Sequence, residues 1–217
     1  MKAPFTPEQF FSVFEKYNLA VFPAQIILLL MGVAVLYLLH SGSALRDRLI
    51  PVFMAGLWLW SGLVYHWMFF SESNKAAFAF GGLFIVQGVL FLWMAFRLEP
   101  LSFNVKMKPK ELIGYFLVFF GLFMYPMIGY RLGAPINRSI SLGLPCPTTI
   151  TTFGLLMLTN GKFPKYLLII PGLWALLGFS AALKFGVYQD IVLLLSALIA
   201  GFYRFRQKEQ GHSHVIS

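Results

Sequence analysis

The sequence predicts an all-α membrane protein, a helical bundle of seven transmembrane spans preceded by an amphipathic interfacial helix. Its composition supports this class, because 59% of the 217 residues are hydrophobic and only 12% are charged, whereas soluble domains carry roughly 25% charged residues. The mean hydropathy is +0.75, and long apolar runs alternate with short basic turns. Residues 1–217 are therefore expected to form a single membrane domain, which excludes soluble catalytic modules and nucleic-acid readers.

The interfacial helix is predicted at residues 7–17. Thr6, Pro7 and Gln9 match an N-cap, a first helical position and a capping box. The apolar side chains that follow share one helical face: Phe10, Val13, Phe14 and Tyr17. Such a helix is expected to lie flat in the headgroup region, and the alternative is a helix that binds a soluble partner.

Seven apolar segments follow. Their predicted limits are 19–39, 49–70, 76–96, 112–130, 147–160, 166–183 and 187–203. The fifth is shorter than the roughly 20 residues that a crossing needs, so it is either a short span surrounded by protein or a re-entrant helix. Residues 204–217 read as a polar tail, in which His212 and His214 are expected to be solvated rather than to bind a metal.

The distribution of basic residues predicts an orientation. With seven crossings, most of the 17 Lys and Arg residues fall on one side, and the positive-inside rule then places the N-terminus outside and the C-terminus in the cytoplasm. Without the fifth crossing, the two sides would carry nearly equal numbers. We interpret the net charge of +9 as topogenic charge that also attracts anionic lipid headgroups to the cytoplasmic loops, and not as nucleic-acid binding.

The most unusual stretch is 143–154, which contains the only cysteine, two prolines and four threonines. Proline-broken polar sequence at membrane depth must be satisfied by protein or water, and a helix N-terminus there attracts anions. Under the seven-span topology, most of the other polar residues singled out fall at the same outer level. The candidate ligand-binding residues are Gln25, His66, Gln87, Tyr125, Arg131, Cys146, Thr148, Thr149 and Asp190.

Two interpretations of this stretch stay open. In the first, the helix N-terminus faces an anionic ligand near Arg131 and Arg138, or a carboxylate partner such as Asp190. In the second, the threonine hydroxyls bond back to their own helix or to a neighbour, and the prolines only shape the turn. Cys146 is then a buried structural cysteine that marks the start of the helix.

Three functions are compatible with these patterns. The leading hypothesis is a small transporter or channel-like protein for an anion or a small polar solute, with an outer-leaflet pocket at a helix N-terminus. The alternatives are a membrane enzyme or redox or metal protein that uses Cys146 and His66, and a structural or sensory subunit. No Cys-x-x-Cys or His-x-x-x-His spacing indicates a metal, so no metal or cofactor is assigned. The oligomeric state stays open, a homo-oligomer included.

Several segments together resemble a known family. They are residues 5–10, Tyr17-Asn18, 23–25, 61–70, Phe80-Gly81 with Gln87, and 143–154. This combination resembles a family of bacterial integral membrane proteins whose function is unknown. The resemblance implies a bacterial inner-membrane protein of about this size, and it implies no activity, cofactor or catalytic residue.

Overall fold

Helices form nearly all of the regular structure in the described part of the chain, which comprises residues 6–103, 107–161 and 163–206 of a computed structural model. Within these ranges there is no strand, only two isolated bridges, which confirms the all-α class. The predicted tail beyond Arg206, with His212 and His214, lies outside the described residues. The eight helices are α1 (Pro7–Val21), α2 (Ala24–His40), α3 (Arg46–Ser73), α4 (Ala77–Phe96), α5 (Pro109–Arg131), α6 (Pro145–Met157), α7 (Lys165–Phe185) and α8 (Tyr188–Arg206).

Five of these helices, α3, α4, α5, α7 and α8, are long and apolar enough to cross a membrane. Helices α1 and α2 meet the same criterion only as a pair, and the pair is bent by 83°. Helix α6 has 13 residues and a length of about 20 Å. The described chain is therefore compatible with a membrane protein that has five or six such helices, and the prediction of seven spans goes beyond this number.

The first predicted span, 19–39, is divided by a break at Phe22 and Pro23. Helix α1 continues beyond residue 17 to Val21, and α2 begins only at Ala24. Pro23 has no amide hydrogen with which to continue the α1 ladder, whereas its carbonyl accepts hydrogen bonds from the amides of the first turn of α2. The residues expected to begin the first span therefore belong to the N-terminal helix.

Helix α1 begins with the predicted capping box. The Thr6 hydroxyl accepts a hydrogen bond from the Gln9 amide at 3.2 Å, and the Thr6 amide donates to the Gln9 side chain at 2.8 Å. The predicted apolar face is buried: Phe10, Val13, Phe14 and Tyr17. In an isolated helix this apolar face would be free to enter a lipid interface, but in this protein the rest of the bundle covers it.

Ring stacking and ion pairs hold α1 across one end of the bundle. The Phe14 ring stacks on Tyr65 near the end of α3, with ring centroids 5.7 Å apart. On the polar side, Arg138 in the connection between α5 and α6 pairs with Glu8 at 2.9 Å and with Glu15 at 2.8 Å. An ion pair near the surface contributes little by itself, but together these contacts tie α1 to α3 and to this connection.

Helix α6 runs inside the bundle, and all of its residues except Cys146 are buried. Just before it begins, the Gly143 carbonyl accepts a 2.7 Å hydrogen bond from Ser61, which lies near the middle of α3. Just after it ends, the Asn160 amide donates to Ser102 in the connection between α4 and α5. That connection lies at the start of α3, where the amide of Phe103 donates to Asp47. Helix α6 therefore extends from mid-depth to the end of the bundle opposite α1.

Helices α5 and α6 approach each other closely through glycines. A Cβ atom on Gly154 would lie 2.8 Å from the Gly114 carbonyl oxygen and 2.8 Å from the amide nitrogen of Val118. Backbone atoms cannot move aside as the end of a flexible side chain can, so the contact has no room for even one methyl group. This close approach lets a short helix with polar hydroxyls lie against α5.

We predict that Gly154→Ala lowers the free energy of unfolding by about 1–3 kcal/mol, the usual cost of overpacking. The matched control is Gly82→Ala in α4, where a Cβ would meet nothing within 4 Å and where alanine is the better helix former. Thermal unfolding of both variants in the same detergent measures the difference. Equal stability of the two variants would contradict the close α5–α6 contact.

Candidate functional site

The Asp190 carboxylate joins three helices inside the bundle. Asp190 lies in the first turn of α8 and is 2% exposed. Tyr125 of α5 donates a 2.5 Å hydrogen bond from Oη to Oδ1, and Cys146 of α6 donates from Sγ to Oδ2 at 3.5 Å. The structure thus brings together three of the residues predicted to bind a ligand.

No basic side chain pairs with this carboxylate among the residues that the structure describes. Its two hydrogen-bond donors are a phenol and a thiol, and the thiol is a weak donor. The nearby start of α6 adds the partial positive charge of a helix N-terminus. A buried carboxylate with so little compensation is a common feature of functional sites inside membrane proteins.

The first turn of α6 is poorly suited to hold an external anion. Pro145 and Pro147 have no amide hydrogen, so Cys146 supplies the only N–H of the first three residues. The next amide, of Thr148, donates to the Leu144 carbonyl at 3.1 Å. The Asp190 carboxylate contacts this helix end through the Cys146 side chain.

Three of the four threonines of α6 bond to the backbone or to a neighbouring side chain, whereas the buried Thr151 hydroxyl has no hydrogen-bond partner among the described residues. The hydroxyl of Thr148 accepts from the Gly143 amide at 3.2 Å, and that of Thr149 donates to the Pro145 carbonyl at 2.8 Å. Thr152 donates to the Thr148 carbonyl and accepts from the Trp58 indole. These bonds match the structural interpretation of the threonines.

A cavity of about 190 Å³ lies beside Asp190, and residues of α1, α3, α4, α6, α7 and α8 line it. Cys146 and Asp190 are part of its wall. Aromatic rings form a large part of the remaining wall, and they belong to Phe10, Phe14, Tyr65, Phe70, Phe80, Trp174 and Phe185. Lys184 and Ser180 also line the cavity but are exposed, so they mark its open side. Helix α1 covers the cavity with Phe10, whose ring stacks on Phe185 at 4.4 Å.

His66 lies behind the aromatic wall in a π-helical segment of α3, Ser61–Phe70. Its ring is fully buried and contacts the rings of Phe84 and Trp174 at centroid distances of 4.8 Å and 5.1 Å. Neither ring nitrogen of His66 has a hydrogen-bond partner among the described residues. Buried polar groups are rarely left in this state, and π-helical turns are frequent at functional sites.

The remaining predicted residues lie elsewhere. Gln25 donates to the Asn18 carbonyl at 2.9 Å and lines a separate, mostly apolar groove of about 1000 Å³ between α2 and α5. Gln87 is buried and donates to the Leu167 carbonyl at 3.3 Å, which links α4 to α7. Arg131 is exposed at the end of α5 and is not among the described residues that line the cavity at Asp190.

Sequence reasoning missed Trp174 and the covering role of α1. Trp174 lies in an apolar segment where nothing in the pattern separates a cavity wall from a lipid-facing surface. The sequence indicates the aromatic face of α1 but not what this face contacts. Both a membrane interface and the end of a helical bundle can accommodate apolar rings. Within the described ranges, no group of three His, Cys, Asp or Glu side chains is placed to hold a metal.

We predict that Tyr125→Phe lowers the free energy of unfolding by about 1–3 kcal/mol, because it leaves a buried carboxylate oxygen without its donor. Tyr130→Phe is the matched control, since Tyr130 is in the same helix and 59% exposed. Denaturation of both variants under the same detergent conditions measures the difference. A Tyr125→Phe protein as stable as the control would show that the hydrogen bond to Asp190 does not stabilise the fold.

Comparison with known proteins identifies the family but not the activity. Neither the curated proteins nor the solved structures include a significant match to this chain. A family model does match, and it covers residues 7–214, which include the eight helices and the cavity wall as far as the structure describes it. The chain therefore belongs to DUF6064, a family of unknown function.

Proposed function

We propose that this chain is an integral membrane protein that transports a small polar solute, with the cavity at Asp190 as its binding site. The observation that carries the proposal is a buried carboxylate in the wall of a cavity among apolar helices. Burying an ionisable group in a membrane costs free energy, so such groups tend to be kept for a function. Here the group faces a space that can hold a small molecule.

The short helix α6 also supports a transport function. Transporters often form their substrate sites where a helix begins or breaks at mid-depth in the membrane. The start of α6 lies near the middle of α3, next to Ser61, and its first turn contacts Asp190. A helix that begins inside the protein brings its N-terminal end to the cavity, whereas a full-length span would carry that end to the surface.

We also propose the seven-crossing topology, with the N-terminus outside a bacterial inner membrane. The distribution of Lys and Arg supports it. The contacts on either side of α6, at Gly143 and Asn160, support a connection between the two ends of the bundle through residues 132–160. In this topology the cavity and α1 lie on the outer side, and the basic loops lie against anionic lipid on the cytoplasmic side.

The test uses proteoliposomes and three probes, tetramethylammonium, methanesulfonate and erythritol, each radiolabelled and measured at a clamped membrane potential. We predict that at least one probe enters faster than into protein-free liposomes. Ser180→Trp places a large ring at the open side of the cavity, so it should abolish most of the protein-dependent uptake.

The matched control is Leu176→Trp, which adds the same ring to α7 at a position 61% exposed and outside the described cavity wall. This variant should retain uptake. The transport proposal is wrong if no probe enters above the protein-free rate, or if the two tryptophan variants behave alike.

A further inference from the structure

We propose that the solute bound in this cavity is a small organic ammonium ion, held by the Asp190 carboxylate and by the surrounding aromatic rings. The inference rests on the proposed solute site and adds the chemical class of its ligand. It departs from the anionic ligand that the sequence pattern suggested, because the structure places a carboxylate and not a guanidinium in the cavity wall.

The charge of the cavity wall favours a cationic ligand. Asp190 is 2% exposed, while the basic residue in the described wall, Lys184, is exposed at the open side. An ionised carboxylate has about four lone-pair sites, and Tyr125 and Cys146 occupy two of them. A bound ammonium group would stabilise the ionised form of this carboxylate, because a buried charge without a partner is costly.

The aromatic rings of the wall also favour an organic cation. Phe14, Phe70, Phe80 and Trp174 surround the space next to the carboxylate. The face of an aromatic ring is the negative part of its quadrupole, and cages of such faces bind organic ammonium groups. Where a ring presents its face to the cavity, it attracts a cation and repels an anion.

The cavity wall has few oxygen-bearing side chains, which favours an organic cation over a metal ion. Hard cations such as Ca²⁺ and Mg²⁺ require about six or more oxygen ligands, from protein or water. The described wall offers Asp190 and few other oxygen-bearing side chains among its rings. An ammonium ion with methyl or methylene groups loses less hydration in such a cavity, and its apolar part contacts the rings. The volume of about 190 Å³ restricts the ligand to a small one.

Cys146 provides a direct test, because it is the only cysteine of the chain and lines the cavity. Two methanethiosulfonate reagents of similar size, one with an ethylammonium group and one with an ethylsulfonate group, react with the purified full-length protein. Their rate ratio is divided by the ratio for a free thiol in the same buffer. We expect a corrected preference of at least about tenfold for the cationic reagent, as attraction to a nearby carboxylate in a partly desolvated site implies.

Asp190→Asn should bring this corrected ratio close to one, whereas Asp47→Asn, which changes a carboxylate at the opposite end of the bundle, should leave it unchanged. Tetramethylammonium added to the wild-type protein should slow the reaction of Cys146 with a neutral reagent, and methanesulfonate should not. This protection assay does not depend on the folding of any variant.

The outcomes separate the two proposals. If methanesulfonate or erythritol protects Cys146 and tetramethylammonium does not, the cavity binds a solute but the ammonium assignment is wrong. A corrected ratio near one in the wild-type protein also overturns that assignment. If Cys146 reacts with no reagent until the protein is denatured, solutes do not reach the cavity, and the proposed transport site is wrong as well.

Discussion

The hydrogen bonds to the Asp190 carboxylate constrain the positions of α5, α6 and α8 at once. Tyr125 and Cys146 reach the two carboxylate oxygens from different helices, so none of the three helices can shift by a turn without leaving a buried carboxyl group with fewer hydrogen-bond partners. Losing a donor to a buried group costs about 1–3 kcal/mol, a large share of the stability of an ordinary domain. The cavity and its open side depend on this arrangement, because Cys146 and Asp190 form part of its wall.

The depth of α6 follows from the same constraint. A 13-residue helix can bring its N-terminal end to a buried carboxylate only if the chain before it enters the bundle without helical structure. Residues 139–144 do so, and the Gly143 carbonyl and amide are bonded by Ser61 and Thr148. Backbone that is not helical is tolerated at membrane depth only where protein or a cavity satisfies it. The glycine contact between α5 and α6 then keeps the short helix against a long one.

Much of the fold could be predicted from the sequence because apolar run length and helix caps are local signals. The capping box at Thr6 and the buried face from Phe10 to Tyr17 are examples. The break at Pro23 was not predicted, since a proline near a span start is also compatible with a continuous helix. Among the candidate site residues, the sequence singled out Tyr125, Cys146 and Asp190, which the structure brings into contact, but also Gln25, Gln87 and Arg131, which lie elsewhere. The position of a residue along a span predicts its depth in the membrane. Which polar side chains meet depends on how each helix is rotated about its axis and on which helices lie next to it.

The most direct measurement of the central claim is a double-mutant cycle between Tyr125→Phe and Asp190→Asn, with unfolding free energies obtained by denaturant titration in mixed micelles. If the Asp190 carboxylate depends on the Tyr125 hydroxyl, the two substitutions should be coupled by at least about 1 kcal/mol, within the usual range for residues in one hydrogen-bond network. Effects that add to within about 0.5 kcal/mol, as for distant and independent sites, would contradict the account.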